Sequence, residues 1–215
     1  NIYKGIEVIA SIFGFSGVDP NTIMMGWPKG LENSEEYSEM TQKLLYLDYN
    51  LLYLDFDRAT KFGNYQTIDL WWRETDSKNA EMMLNIARFI VRSSKWSSAV
   101  IRVLFVNNSN VDCEIIEGNI LNLVEDIRVK VEIKIINNAI EQIPFYELIS
   151  KYSITTDLTL LGIPNFDINK QTQFVIKTNQ LFESIGSTLM VKASKSFNEI
   201  NLDIVKKTAE EPYFE

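Results

Sequence analysis

Histidine is absent from all 215 residues, and the chain has a single cysteine, Cys113. Without histidine the chain lacks the most common general base and metal ligand, and any Ser-His or Cys-His nucleophile. One cysteine excludes an intramolecular disulfide, and its acidic neighbours Asp112 and Glu114 disfavour a reactive thiolate. The sequence therefore predicts no catalytic residue and no metal ligand. An enzyme would have to depend on carboxylates alone.

Clustered positive charge and long apolar runs are also lacking. Lysine and arginine total 21 against 29 aspartates and glutamates, which gives a formal charge of -8. Nucleic acids and anionic membrane surfaces are bound through clustered cations, so no nucleic-acid partner is expected. No apolar segment reaches the ~20 residues that span a bilayer. Because residues 1–5 carry neither an initiator methionine nor a signal-type segment, we interpret the chain as part of a longer polypeptide.

A strand, a helix and a second strand are predicted in the middle of the chain. Residues 67–72 are mostly β-formers or large apolar groups, with Asp69 as the only charge. From residue 80 the apolar residues recur at helical spacing, after the capping residues Asp76 and Ser77. Residues 99–106 then form an apolar run rich in β-branched side chains. This succession predicts a βαβ unit.

The same alternation continues to residue 191. Residues 130–135 alternate charged and aliphatic side chains, which is typical of an edge strand, whereas the apolar runs 99–106 and 158–163 resemble interior strands. A last strand is predicted over 187–191. One helix is predicted around Ile116, Ile120, Leu123 and Ile127. Two further helices are predicted near 144–152 and over about 170–183. Five strands alternating with four helices predict an α/β fold with a doubly wound parallel sheet of order 3-2-1-4-5.

The first part of the chain looks like an incomplete copy of this pattern. Strands are predicted over 22–26 and 50–56, and 57–66 is a polar, glycine-containing linker. We therefore predict a partial first half over 1–60, a complete second half over 61–205 and a charged tail over 206–215. Two helices are predicted in the first half. The apolar stripe of the first consists of Ile6, Val8, Ile9, Ile12 and Phe13. That of the second consists of Tyr37, Met40, Leu44 and Leu47.

A ligand crevice is expected where the strand order reverses, at the carboxyl ends of strands 67–72 and 157–163. The candidate residues there are Asp69, Asp76, Gly162 and Asn165. Asp69 has two interpretations: a carboxylate that orients a ligand, or a partly buried charge balanced by a backbone donor or by Arg102.

The residues at the end of strand 157–163 and just after it argue against a phosphate-wrapping loop. They read Gly162-Ile163-Pro164-Asn165-Phe166. The arrangement resembles the universal stress protein fold, whose ATP-binding members have a glycine-rich stretch after this strand. Here the next glycine is Gly186, and without glycines the backbone cannot easily approach a polyphosphate. We therefore expect no nucleotide cofactor bound in that style, although adenosine held by backbone contacts remains open.

Four tryptophans could form a stacking surface or belong to the core and a subunit interface. They are Trp27, Trp71, Trp72 and Trp96. In an acidic chain the second interpretation is favoured.

Five segments, in order, resemble motifs of the cytosolic C-terminal domain of cation-chloride cotransporters. They span the chain from about Gly14 to Phe197. The segments are Pro20-Asn21-Thr22 leading to Gly26-Trp27-Pro28, Lys61-Phe62-Gly63 followed by 67–72, Trp96 followed by Ile101-Arg102-Val103, residues 157–164, and residues 187–192.

The resemblance implies a domain on the cytoplasmic side of the cell membrane, attached to a transporter that moves chloride electroneutrally with potassium, sodium or both. Such domains resemble two fused stress-protein-like halves, form homodimers and influence transport by the membrane domain. The ion sites would then lie in the membrane part. The phosphorylatable insertion of animal members is reduced to a few residues before Phe62-Gly63, which suggests a prokaryotic member. The alternative is a soluble nucleotide-binding protein of the universal stress type.

Overall fold

The chain alternates strands and helices throughout the part that the computed structural model describes, which comprises residues 2–12, 20–29, 34–73, 77–109, 111–125, 131–164 and 171–197. The elements in chain order are α1 (Ile2–Ile12), β1 (Thr22–Gly26), α2 (Ser34–Tyr46), β2 (Asn50–Asp55), β3 (Thr67–Trp72), α3 (Ser77–Ile90), β4 (Val100–Asn107), α4 (Cys113–Glu125), β5 (Val131–Asn137), α5 (Phe145–Ser153), β6 (Leu158–Gly162), α6 (Gln171–Phe182) and β7 (Thr188–Lys192).

All seven of these strands form one sheet, in the order β1-β2-β7-β6-β3-β4-β5. The five strands from β3 to β7 have the 3-2-1-4-5 order expected for them, and they pair in parallel. β5 lies at one edge, and its side chains alternate between half-buried and exposed over most of its length. β2 joins β7 in an antiparallel pair, which was not predicted. The α/β fold with a doubly wound sheet is therefore confirmed, with one antiparallel connection between the two parts.

Two hydrophobic cores lie on opposite faces of the sheet. One contains residues of α1, α2, α5 and α6 packed on Tyr53 and Trp71. The other contains residues of α3 and α4 packed on Leu70 and Val103. We name these the first and the second core. All four tryptophans are buried in one core or the other, as the interpretation of them as core residues predicted.

The first and second parts of the chain are related by a local two-fold axis. β1-α2-β2 corresponds to β6-α6-β7, and both first strands end in a glycine that is followed by an apolar residue and a proline. The amide of Trp27 donates to the carbonyl of Leu54 at 2.9 Å. In the same way, the amide of Ile163 donates to the carbonyl of Val191 at 2.8 Å. Because Tyr53 pairs with its own counterpart, Met190, the axis passes through that pair. The sheet thus contains a parallel five-stranded part, β3 to β7, joined to the parallel pair of β1 and β2.

Some expectations for the first half were wrong. Val8 and Ile9 are 53% and 59% exposed, and the inner face of α1 is formed by Tyr3, Ile6 and Ala10. Apolar residues surround most of α1, so periodicity alone could not identify the buried side.

Leu47 is also exposed, because α2 ends at Tyr46 and the chain turns there. Phe13 and the tail 206–215 lie outside the described residues, and the boundary at residue 60 remains a prediction. None of the described helices combines the length and apolar character needed to cross a bilayer.

Candidate functional site

The predicted crevice lies where the ends of β3 and β6 adjoin. Trp71 is paired with Leu161, so Trp72 and the half-buried Gly162 follow at the same edge of the sheet. Asp76 and Asn165 lie outside the described residues. Gly162 is therefore the only one of the four candidates that the structure places at this edge among the residues it describes.

Two side chains that were not predicted to matter contact the residues that follow the ends of β6 and β7. Asn79, on α3, donates from Nδ2 to the carbonyl of Ile163 at 3.0 Å and accepts the amide of Ala193 at 2.7 Å. Lys192 donates from Nζ to the same carbonyl at 3.1 Å. Both side chains are almost fully buried. The Ile163 carbonyl and the Ala193 amide at this edge are thus bonded within the protein.

Sequence reasoning could have noticed Lys192, since it is the only charge in the apolar run that ends β7. Asn79 gave no comparable signal, because an asparagine in the first turn of a helix is common. Its partner atoms lie 84 and 114 residues away along the chain, so only the packing of α3 on the sheet identifies its role.

Asp69 belongs to a buried network and is separated from Gly162. It is fully buried and is level with Thr159, three residues before Gly162. Arg102 contacts both carboxylate oxygens, at 2.6 Å from Nε and 2.8 Å from Nη2. The hydroxyl groups of Ser153 and Thr156 also donate to it, each at 2.6 Å. The structure shows the pairing with Arg102 that was the alternative to a ligand-orienting role.

The network joins three elements around a buried charge. β3 supplies the carboxylate and β4 supplies the guanidinium, while the two hydroxyls come from Ser153 at the end of α5 and from Thr156 just before β6. Trp71 donates from Nε1 to the Ser153 hydroxyl at 2.9 Å, which fixes that hydroxyl toward Asp69. A fully buried carboxylate bonded in this way stabilises one packing arrangement and presents no oxygen to solvent.

Asp157 fastens the linker between the two halves. It accepts the backbone amides of Asn64, Gln66 and Thr67 at 2.7 to 2.9 Å. Burial acts to raise the pKa of Asp157, but the three amides together outweigh it, so its pKa lies below the usual value. Gly63 has a φ of +49° beside this carboxylate. The Phe62-Gly63 motif is thus where the linker turns closely around Asp157.

Trp27 fastens the first half to α6. Its Nε1 donates to the side-chain oxygen of Asn179 at 2.8 Å, and Asn179 donates to the carbonyl of Lys29 at 3.3 Å. Its ring contacts four other aromatic rings edge-on, with centroids 5.5 to 6.3 Å away: Tyr37, Tyr53, Phe174 and Phe182. The Gly26-Trp27-Pro28 motif therefore lies at the joint between the halves.

An open cavity of about 340 Å³ lies at the opposite edge of the sheet, beside Asp57, Asp157 and Glu183. Asp57 accepts the hydroxyl of Thr60 and the amide of Ala59, which together lower its pKa. Within the described residues, no group of three or more acidic or cysteine side chains could hold a metal ion. Asp57 thus bonds within its own loop, whereas Asp157 bonds to the linker.

Comparison with known proteins identifies the fold. No family profile matches the sequence, and no curated protein sequence matches it. Among solved structures, the chain is similar to the cytoplasmic domain of a prokaryotic cation chloride cotransporter, at 18% identity with a TM-score of 0.67. The match covers 92% of this chain and 72% of that one.

A universal stress protein from Archaeoglobus fulgidus DSM 4304 is also similar, at 10% identity with a TM-score of 0.52, over 82% of this chain and 62% of that one. At these identities the matches show a shared fold. They confirm the fold that the motif series and the strand order implied.

Proposed function

We propose that this chain is the cytosolic regulatory and dimerisation domain of a membrane cation-chloride cotransporter, and that it is not itself an enzyme. The observation that carries the proposal is the fold similarity to such a domain across 92% of the chain. It is supported by the motif series, whose residues lie at the joints of the fold: Trp27 between the halves, and Gly63 beside Asp157. The partners would be a second copy and the membrane domain.

Coupling in such a protein would be a population shift. The domain would stabilise one state of the membrane domain more than another, by contacts that differ between the two states. A rigid body suits this role, and the buried network around Asp69 joins β3, β4 and the end of α5 into one.

The first test is the coding sequence upstream of Asn1. The proposal predicts about twelve apolar segments of ~20 residues, each long enough to cross a bilayer. A short leader without such segments would contradict it.

The regulatory part is tested by chloride flux in the complete transporter. Deletion of residues 1–215 should change flux or assembly in vesicles, with the amount of inserted protein matched by immunoblot. As a milder variant, Trp27→Ala should loosen the joint between the halves and give a partial effect. Unchanged flux and assembly after the deletion would overturn the regulatory role.

A nucleotide-binding stress protein is the competing function. Asn79 and Lys192 already bond the Ile163 carbonyl at the expected crevice, which favours the first proposal. Calorimetry with ATP distinguishes the two: heat of binding at micromolar ATP would favour the stress protein, and silence at millimolar ATP would favour the transporter domain.

A further inference from the structure

β5 forms one edge of the sheet, and the topology of the five-stranded part puts it there. It is the third of the strands β3 to β7 in chain order, and the 3-2-1-4-5 order places the third strand outermost. β5 pairs with β4 on one side, in parallel, and no described strand pairs with its other side. Such an edge presents backbone donors and acceptors to a further strand.

The odd-numbered residues of β5 direct their backbone groups toward this free edge. Directly after β5, the amide of Asn138 donates to the carbonyl of Asn107 of β4 at 2.8 Å. Both backbone groups of a strand residue point to the same side, and that side alternates from one residue to the next. The even-numbered residues therefore face β4, and the odd-numbered ones face outward. We call the outward-facing residues Val131, Ile133 and Ile135 the edge residues.

The side chains of β5 differ in character between the two faces of the sheet. Those of the edge residues are half-buried and pack against the second core. Glu132 and Lys134 are exposed on the opposite face. The Lys134 ammonium lies over the ring of Tyr152, 4.4 Å from its centre. Neither Glu132 nor Lys134 forms an ion pair with another described residue.

This pattern is complementary to itself in an antiparallel strand pair. With Ile133 opposite the partner's Ile133, Glu132 lies opposite the partner's Lys134, and Lys134 opposite the partner's Glu132. Because the backbone groups of these two charged residues face β4, they occupy the pairs without mutual hydrogen bonds, whose Cα atoms are only about 4.5 Å apart. Opposite charges in such cross-strand pairs stabilise the pairing.

Other centres of the strand pair are less favourable. An axis through Glu132 or through Lys134 would place that residue opposite its own copy, and like charges directly opposite each other are destabilising. An axis through Ile135 would leave both charges without a partner of opposite sign. Within β5, the alternation of charges therefore selects an axis at Ile133.

An apolar side chain of α4 borders the same edge. α4 connects β4 to β5, and its Ile120 is buried in the second core. Leu121 is the next residue around the helix and is 43% exposed. Because a crossover between parallel strands is right-handed, Leu121 lies on the side of α4 that faces past β5. A second copy at this edge would cover part of it.

We propose that two copies of this chain associate through their β5 edges, as an antiparallel strand pair centred on Ile133 that joins the two sheets into one. The chain already contains a junction of this kind, because β2 and β7 pair antiparallel about a local two-fold axis. The inference specifies how the second copy in the proposed function binds, and it rests on that function.

Exchange of the two charges in the 215-residue chain tests this, with sedimentation velocity over a series of protein concentrations. Glu132→Lys and Lys134→Glu each place like charges opposite each other, so each should raise the dissociation constant of the dimer about tenfold or more. The double variant restores pairs of opposite charge and should dimerise as the unchanged chain does. Glu39→Lys is the matched control, since Glu39 is exposed on α2 at the other end of the sheet.

An equimolar mixture of the two single variants gives a second comparison. Each protein alone places like charges opposite each other, but a mixed pair places Glu132 opposite Lys134 of the other kind and the two introduced side chains opposite each other with opposite sign. The mixture should therefore dimerise more strongly than either variant alone. This recovery depends on residues 132 and 134 facing each other, and a general loss of stability would not produce it.

Amide hydrogen exchange, resolved by residue with NMR, locates the contact. The amides of Ile133 and Ile135 should exchange more slowly as the protein concentration rises. The amides of Glu132 and Lys134 face β4, and their slow exchange at every concentration would show that the protein remains folded.

Three results would overturn the proposal. If the dimer is unaffected by the single variants, the second copy binds elsewhere, and the proposed function stands without this inference. If the edge amides are protected to the same extent at all concentrations, another part of the same chain covers the edge. If the chain is monomeric up to its solubility limit, the dimerisation role in the proposed function fails as well.

Discussion

Asp157 lies so close to the backbone of Gly63 that a Cβ on residue 63 would be 1.9 Å from its Oδ1 atom. The two residues are 94 positions apart and connect the linker to the start of β6. Because Gly63 also has a positive φ, two independent constraints select glycine here. We expect Gly63→Ala to lower the free energy of unfolding by roughly 2–4 kcal/mol, from backbone strain and displacement of the carboxylate.

Urea denaturation measures this effect. Gly118→Ala is the matched control, since Gly118 lies within α4 and a Cβ there would meet nothing within 4 Å. It should stabilise the protein by about 0.5–1 kcal/mol, because alanine is the better helix former. Equal effects at the two positions would contradict the steric explanation.

We expect the contribution of the Asp69 charge to the stability of the fold to depend on the charge of Arg102. Asp69→Asn should destabilise the fold by about 2–4 kcal/mol, because it leaves a partly buried guanidinium without its counter-charge. The double variant Asp69→Asn with Arg102→Gln should lose clearly less than the sum of the single variants. Glu7→Gln is the control, as it breaks the ion pair with the exposed Lys43, and it should change the free energy of unfolding by no more than about 1 kcal/mol. Strict additivity of the Asp69 and Arg102 variants would show that the pair is not coupled.

We expect the folded protein to become less stable as the pH falls, because Asp157 becomes protonated. Its folded-state pKa is lowered, so its contribution is present above the unfolded value of about 4 and is lost as pH falls through the folded value. Asp157→Asn should cost about 1–2 kcal/mol near neutral pH, after allowance for solvent screening. The difference in Tm between the two proteins should shrink below about pH 4. A constant difference down to pH 2 would show that the ionised form is not what holds the linker.

Trp27 should control how firmly α6 is attached to the first half. Trp27→Phe removes the hydrogen bond to Asn179 and part of the ring volume, which should cost about 1–3 kcal/mol. Amide exchange in α6 should become faster. Trp96→Phe removes the same volume in the second core, and should leave the exchange of α6 unchanged. Identical exchange patterns in both variants would place the joint elsewhere.

The sequence by itself determined the strands of the second half, their order, and their arrangement as a doubly wound parallel sheet. Apolar runs identified β3, β4, β6 and β7, and the alternating side chains of β5 identified it as an edge strand. These patterns are local, because each reflects which face of one element is buried. The motif series also indicated the fold that the structural comparison confirms.

Only the tertiary structure decided which polar groups meet and how the halves join. Asp69 could be read from sequence either as a ligand residue or as a structural charge, and its contacts with Arg102, Ser153 and Thr156 reach across 33 to 87 residues. The burial of Lys192 and the antiparallel pairing of β2 with β7 are of the same kind. Such contacts depend on how separate elements pack together, and no periodicity within one element records them.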